Sequence, residues 1–141
     1  LNYNELHKLL LISYNYSAKA IVKQTSQTGL MPGQPKILEF LLENDGCTQK
    51  EIGLGCALDK STVTYLLHKM KEVDLIQKAP HKSDKRSSII LLTKKGREIA
   101  LEVKKICCSV DQSAWKDIYE EDKIIFIQTL QKIIHNLKME G

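Results

Sequence analysis

Apolar residues along this chain recur mostly at helical spacing, and twice they cluster in short strand-like runs. From Asn4 to about Gln27, the residues Leu6, Leu9, Leu10, Ser13, Tyr16, Ala20 and Val22 trace a helical stripe. Leu11, Ile12, Tyr14 and Ile21 widen that stripe beyond one face, so the helix needs two neighbours and is expected to touch another chain. Thr28 to Gly33 breaks it. A second helix is predicted from Gly33 to Asn44, with Ile37, Leu38, Leu41 and Leu42 inward and Asp45-Gly46 as its stop. Thr48-Gln49-Lys50-Glu51 reads as a capping box opening a short helix, which Gly53 and Gly55 are expected to limit.

Asp59 or Ser61 caps the following helix, where Val63, Leu66, Leu67 and Met70 fall at i, i+3, i+4 and i+7. Ser61, Thr62, Thr64, Tyr65, His68, Lys69 and Glu72 are thereby assigned to its other faces. Two short helices with a tight connection, the second polar outside, make a helix-turn-helix pattern. Leu75 to Ala79 and Ser88 to Leu92 are the strand-like runs, joined by the polar, basic segment Pro80 to Ser87. They predict a β-hairpin with a long charged tip. Thr93 then caps a helix carrying Ile99, Ala100, Val103, Ile106, Cys107 and Val110. A last helix, from about Glu120 to Lys138, carries Ile124, Ile127, Leu130, Ile133, Ile134 and Leu137. The fold class expected is mostly α (α+β), a winged helix-turn-helix with long N- and C-terminal helices.

Charge sharpens this picture. The chain has 141 residues and a net charge of +4, but Lys60 to Arg97 holds ten Lys or Arg against three acids. That segment is therefore +7 and the remainder −3, which points to a polyanion partner for the centre only. The 43% hydrophobic content supports one packed domain with added helices. No apolar run approaches the roughly 20 residues of a membrane span, and no signal-peptide pattern opens the chain, so a cytoplasmic location is expected. Cys47, Cys56, Cys107 and Cys108 lack CxxC spacing, and the four histidines form no HxH or HxxxH pair, so no metal or other cofactor is expected. Cys47 stands beside a helix start, where a dipole can lower a thiol pKa. No nucleophile motif, phosphate loop or catalytic acid pair argues for an enzyme.

Several segments together resemble the MarR family of bacterial transcription regulators. They are Gly29 to Leu38, Gly46 to Ile52, Lys60-Ser61-Thr62-Val63-Thr64, and the wing Asp84-Lys85-Arg86 leading to Leu92-Thr93-Lys94-Lys95-Gly96-Arg97. The resemblance covers nearly the whole chain, and the wing motif is its most specific part. It implies a homodimer built from residues 1–32 and 98–141, with the DNA-binding winged helix in 33–97. Two recognition helices would then enter successive major grooves of a pseudo-palindromic operator. The reading is a ligand-responsive repressor; the rival is a winged-helix module that binds protein instead of DNA.

Thr48 and Gln49 are expected to clamp the DNA backbone. Ser61, Thr62 and Thr64 would let the recognition helix approach phosphate, and Tyr65, His68 and Lys69 would reach base edges or phosphates. Many members of the family carry Arg where this chain has Tyr65, and Tyr cannot form the bidentate contact of Arg with guanine. In the wing, Arg86 is expected to enter a minor groove, oriented by a bidentate pair with Asp84, with Lys82 and Lys85 on phosphates. Asp74 replaces a glycine common in the family and is expected to hold the same left-handed turn. The resemblance also implies a pocket for a small effector, an aromatic or phenolic acid, with Tyr14, Tyr16 and Trp115 as its candidate lining.

Overall fold

The computed structural model describes residues 4–141, so the first three residues of the predicted 1–32 segment lie outside it. The order is α1 (Leu6–Thr25), a 3₁₀ turn (Ser26–Thr28), α2 (Gln34–Glu43), α3 (Gln49–Cys56), α4 (Lys60–Glu72), β1 (Ile76–Pro80), β2 (Ser88–Leu92), α5 (Lys94–Ala114) and α6 (Glu120–Glu140). The chain divides into two compact units, one ending at Cys108 and the other Ser109–Gly141.

In the first unit the core is the set of apolar stripes read from the sequence. Ile37, Leu38 and Leu41 of α2, Ile52 of α3, and Val63, Leu66, Leu67 and Met70 of α4 are buried together with Ile76, Ile90, Ala100 and Val103. Burial of such side chains is worth about 1.5–3 kcal/mol each, which is what holds three short helices against a two-stranded hairpin. β1 and β2 pair antiparallel, Ile76 opposite Leu92 and Pro80 opposite Ser88. The turn before α3 adds a bridge to this sheet: Ile90 N donates to Cys47 O at 2.7 Å and Gly46 N to Ile90 O at 2.9 Å.

Three local expectations need correction. α3 runs through both of its glycines and ends at Ala57, whose φ is 53°. Gly55 is there because a Cβ would drive into the Phe40 ring of α2, so the residue permits close helix packing rather than stopping the helix. β1 begins at Ile76, one residue later than predicted, since Leu75 belongs to the turn and its N–H bonds Met70 O at 2.9 Å. The capping box is half made: Thr48 Oγ1 accepts from Glu51 N at 3.2 Å, while the return bond from the Glu51 side chain is absent among the described residues.

The turn between α4 and β1 has the expected form. Asp74 adopts φ 62°, and its carbonyl accepts the Thr93 hydroxyl at 2.7 Å. Thr93 Oγ1 in turn accepts from Gly96 N at 2.9 Å, capping α5, and Lys95 Nζ donates to Val73 O at 2.9 Å. The start of α5 is thus bolted to the end of the recognition helix.

The terminal helices are different. α6 has no buried residue, and Ile124, Ile125, Phe126, Ile134 and Leu137 are all exposed. In α1 only Thr25 is buried, and Leu6, Leu9, Leu11 and Val22 are exposed. Among the described residues, no helix is long and apolar enough to cross a membrane.

Candidate nucleic-acid interface

The apolar stripe of α4 fixes which side chains face outward. With Val63, Leu66, Leu67 and Met70 buried, Ser61, Thr64, Tyr65 and His68 are exposed and Lys69 is half-exposed. Ser61, Thr64, Tyr65 and His68 line a shallow groove with Asp59, Lys60 and Lys71, closed on the hairpin side by Lys78. Thr62 departs from expectation. It is half-buried and faces a separate cavity on the inner side, because one helical position before Val63 turns it toward α1 and α2.

Asp59 is the cap of α4. Its carboxylate accepts from Thr62 N at 2.8 Å and from the Ser61 hydroxyl at 2.9 Å, and these bonds, led by Thr62 N–H, hold its pKa below the ordinary carboxylate value. The helix start that a phosphate would approach is therefore partly occupied from within the chain. Gln49 Nε2 donates to Thr64 Oγ1 at 3.1 Å, which locks α3 and α4 in register across the helix-turn-helix. Thr64 also donates to Lys60 O at 2.9 Å. Thr48, the cap of α3, is half-buried. Further along α4, two side chains approach Glu72: His68 Nε2 lies 2.8 Å from Oε1 and Lys69 Nζ 3.9 Å from Oε2. Lys69 also lies over the Tyr65 ring, 5.8 Å from its centroid.

At the wing, the predicted bidentate pair of Asp84 with Arg86 does not form. Asp84 Oδ1 accepts from the backbone N–H of Arg86 at 3.0 Å, and Oδ2 accepts from the Ser87 hydroxyl at 3.4 Å. An aspartate two residues ahead of an unpaired N–H satisfies that local donor, leaving the guanidinium to solvent. His81 Nδ1 accepts from the backbone N–H of Ser83 and of Asp84, each at 3.1 Å, and shapes the other side of the tip. The side chains of Lys82, Lys85 and Arg86 are exposed, with no ion pair among the described residues.

One structural residue was missed by sequence reasoning. Asp45 Oδ1 accepts from Leu92 N at 2.9 Å and Oδ2 pairs with Arg97 Nη2 at 2.6 Å, joining the α2–α3 turn to the wing root and to α5. Only its position after a helix was legible, and that suggested a stop signal.

The inner cavity holds about 390 Å³ and is lined mainly by Ala18, Ile21, Val22, Pro35, Leu58 and Leu66, with polar groups from Tyr14 and Lys36. Lys36 Nζ donates to Tyr14 Oη at 2.9 Å and stands 5.4 Å from that ring's centroid. Glu39, also in the lining, is paired with Lys104 at 3.2 Å. Tyr16 is 71% exposed and does not line this cavity. Trp115 belongs to the second unit, where it meets Phe126 edge-on at 5.8 Å.

The thiols of Cys47 and Cys56 are buried, and burial first of all pushes each from an ordinary 9.0 up to about 11. This reverses the lowered value a helix start suggested for Cys47, where Glu51 adds a further upward push. Below pH 9 both folded and unfolded thiols are protonated; above it the unfolded chain ionises first. Stability is therefore expected to fall between about pH 9 and 11, by up to roughly 1.4 kcal/mol per pH unit for each thiol. Urea midpoints at pH 8 and pH 10 check this against a C47A/C56A variant, and an equal pH dependence in the two proteins would refute it. Among the described residues, no group of three or more His, Cys, Asp or Glu is placed to hold a metal ion.

A buried helix-turn-helix with an outward basic groove and a cationic hairpin beside it defines a winged-helix protein. Residues 28–87 match the model of the MarR family. The HTH-type transcriptional regulator BilQ of Clostridium symbiosum is 23% identical over 110 residues, spanning 78% of this chain and 76% of BilQ. Among solved structures, S. aureus MepR in complex with DNA superposes with a TM-score of 0.83 at 20% identity, covering 95% of this chain and 99% of that one. Bordetella bronchiseptica BpsR, whose DNA binding is regulated by 6-hydroxynicotinic acid, gives 0.78 at 18% identity over 94% and 97%. The segment matched is the winged helix-turn-helix itself, and the relatives it resembles are HTH-type transcriptional regulators.

Proposed function

We propose that this protein is a homodimeric repressor that binds a pseudo-palindromic operator and leaves it on binding a small effector. The observation that carries the reading is the pairing of two free surfaces in one unit. They are the outward face of α4, with Ser61, Tyr65, His68 and Lys69, and the unpaired wing cations Lys82, Lys85 and Arg86. A helix of this kind fits a major groove, and a thin cationic hairpin fits the adjoining minor groove. Thr48 and Gln49 at the start of α3, and Thr64, are the backbone-facing partners of that arrangement. Asp84 acts by shaping the wing tip.

The exposed apolar residues of α1 and α6 support dimerisation, since leucine and isoleucine faces of this extent are stable in water only when another surface covers them. A second copy supplies the two-fold symmetry that a palindrome mirrors. The cavity beside α1 supports an effector of modest size, and Lys36 gives it a cation suited to a carboxylate. An aromatic or phenolic acid meets both requirements, with Tyr14 against it. The effector acts by favouring a spacing of the two winged helices that does not match DNA.

Fluorescence anisotropy with DNA from upstream of the protein's own gene, at several salt concentrations, tests the reading. Nanomolar to tens-of-nanomolar binding is expected for the specific site, with log affinity falling with log salt by about 0.9 per phosphate contacted. Equal, weak binding to unrelated DNA would redirect the search to other operators. No binding at low salt to this DNA or to a random library would replace the reading with a protein-interaction role.

A further inference from the structure

From two hydrogen bonds at the hairpin tip we infer that His81 is a positioning residue for DNA binding: the unprotonated Nδ1 of its neutral ring holds the backbone that carries Lys82, Lys85 and Arg86. The inference rests on the proposed DNA-binding role of the wing. The connection 81–87 lies beyond the strand ladder, which ends with Pro80 opposite Ser88. His81 Nδ1 accepts from Ser83 N and from Asp84 N, each at 3.1 Å, and the Ser83 hydroxyl stands 3.2 Å from the same atom. A backbone N–H can only donate, so Nδ1 carries no proton, and the neutral ring keeps its proton on Nε2.

A side-chain acceptor that takes the N–H groups two and three residues on is the pattern asparagine and aspartate make in turns and caps. Here it is one half of a closed network. His81 N donates to Ser87 O and Ser87 N to Asp84 O, each at 3.1 Å, while Asp84 Oδ1 takes Arg86 N at 3.0 Å. Lys82 stands between His81 and Ser83, and Lys85 between Asp84 and Arg86, so all three cations ride on backbone that these bonds order. His81 is half-buried, while the three cations are exposed. An imidazolium donates from both nitrogens and accepts nothing, so protonation of the ring breaks both bonds. The charged groups of the tip are Lys82, Lys85, Arg86 and the Asp84 carboxylate. Among the described residues, no carboxylate lies within ion-pair distance of the ring. A loosened tip must be ordered again on binding, and that costs affinity.

The test compares the full chain as wild type, His81→Ala, His81→Asn and His81→Gln on a DNA site that wild type selects from a random library. Asparagine places Oδ1 where Nδ1 stands and does not titrate, whereas glutamine reaches toward the Nε2 position and lacks that acceptor. At pH 8, anisotropy should show His81→Ala and His81→Gln binding about threefold to tenfold more weakly than wild type, with His81→Asn within about twofold of it. Lowering the pH to about 5.5, through the range where imidazoles charge, should weaken wild type relative to His81→Asn, whose other histidines are the same. Nitrogen NMR of the ring at pH 8 should show the Nε2–H form. A ring protonated on Nδ1 overturns the inference, as does wild-type affinity in His81→Ala. So does His81→Asn binding as weakly as His81→Ala, or a pH profile that wild type and His81→Asn share. Enrichment of no sequence from the library instead removes the DNA-binding reading, and the inference falls with it.

Discussion

Replacing Arg86 with alanine is expected to weaken operator binding at least tenfold while leaving the fold untouched. The guanidinium lies at the exposed tip of the wing and makes no ion pair among the described residues, so its removal breaks nothing inside the protein. A charge-assisted contact to DNA is worth about 1.5–3 kcal/mol, or roughly one to two powers of ten in affinity. Asp84→Ala provides the informative contrast. Its carboxylate ties the Arg86 N–H and the Ser87 hydroxyl, so its loss loosens the tip without removing a cation. A smaller loss, of about threefold, is expected there. Anisotropy titrations at fixed salt separate the two, and unchanged thermal unfolding of Arg86→Ala confirms that only binding was altered. An Arg86→Ala protein with wild-type affinity would remove the wing from the interface.

Gly96→Ala is expected to cost about 2–4 kcal/mol of stability. A Cβ at this position would lie within the Leu75 carbonyl group, and a backbone atom cannot swing aside as a side chain can. That oxygen also accepts from Thr93 N at 3.1 Å, so relief of the clash either breaks this bond or shifts the start of α5 away from the turn. The turn has little room to yield, since Asp74 is already left-handed at φ 62°. Overpacking of about 1–3 kcal/mol combined with a lost hydrogen bond of about 0.5–1.5 kcal/mol spans about 1.5–4.5 kcal/mol, which brackets the expected cost. Urea midpoints measure it directly. Because Leu75 follows the end of α4, the surviving folded fraction should also bind DNA more weakly. A midpoint equal to wild type would show that α5 does not pack against this turn as closely as the geometry requires.

Much of the winged helix was legible in the residues. The stripe Val63, Leu66, Leu67 and Met70 decided which face of α4 is buried, and so which side chains are left outside. The Thr93 cap could also be read, because it depends on residues within a few positions of one another, while the left-handed turn at Asp74 followed from the family resemblance. The pocket lining was less legible. Tyr14 lines the cavity, but Tyr16, two positions along the same helix, points elsewhere, and Thr62 turned inward from a face that looked polar. An α1 that is apolar on several sides does not reveal which residues meet its own unit.

The partners chosen by competing polar groups belonged to the tertiary structure alone. Asp84 takes the Arg86 N–H and the Ser87 hydroxyl in place of the guanidinium expected of it. Asp45 joins Leu92 and Arg97 across 47 and 52 residues, a meeting that no local pattern encodes. Gly55 reads as a helix stop until Phe40 is seen against it, and Cys47 reads as an activated thiol until its burial is known. Helical stripes and caps follow from the sequence because their causes are local: backbone geometry and the nearest donor. Close approaches, buried thiols and long-range ion pairs depend on which distant surfaces the chain brings together, and that is decided only when the whole core is packed.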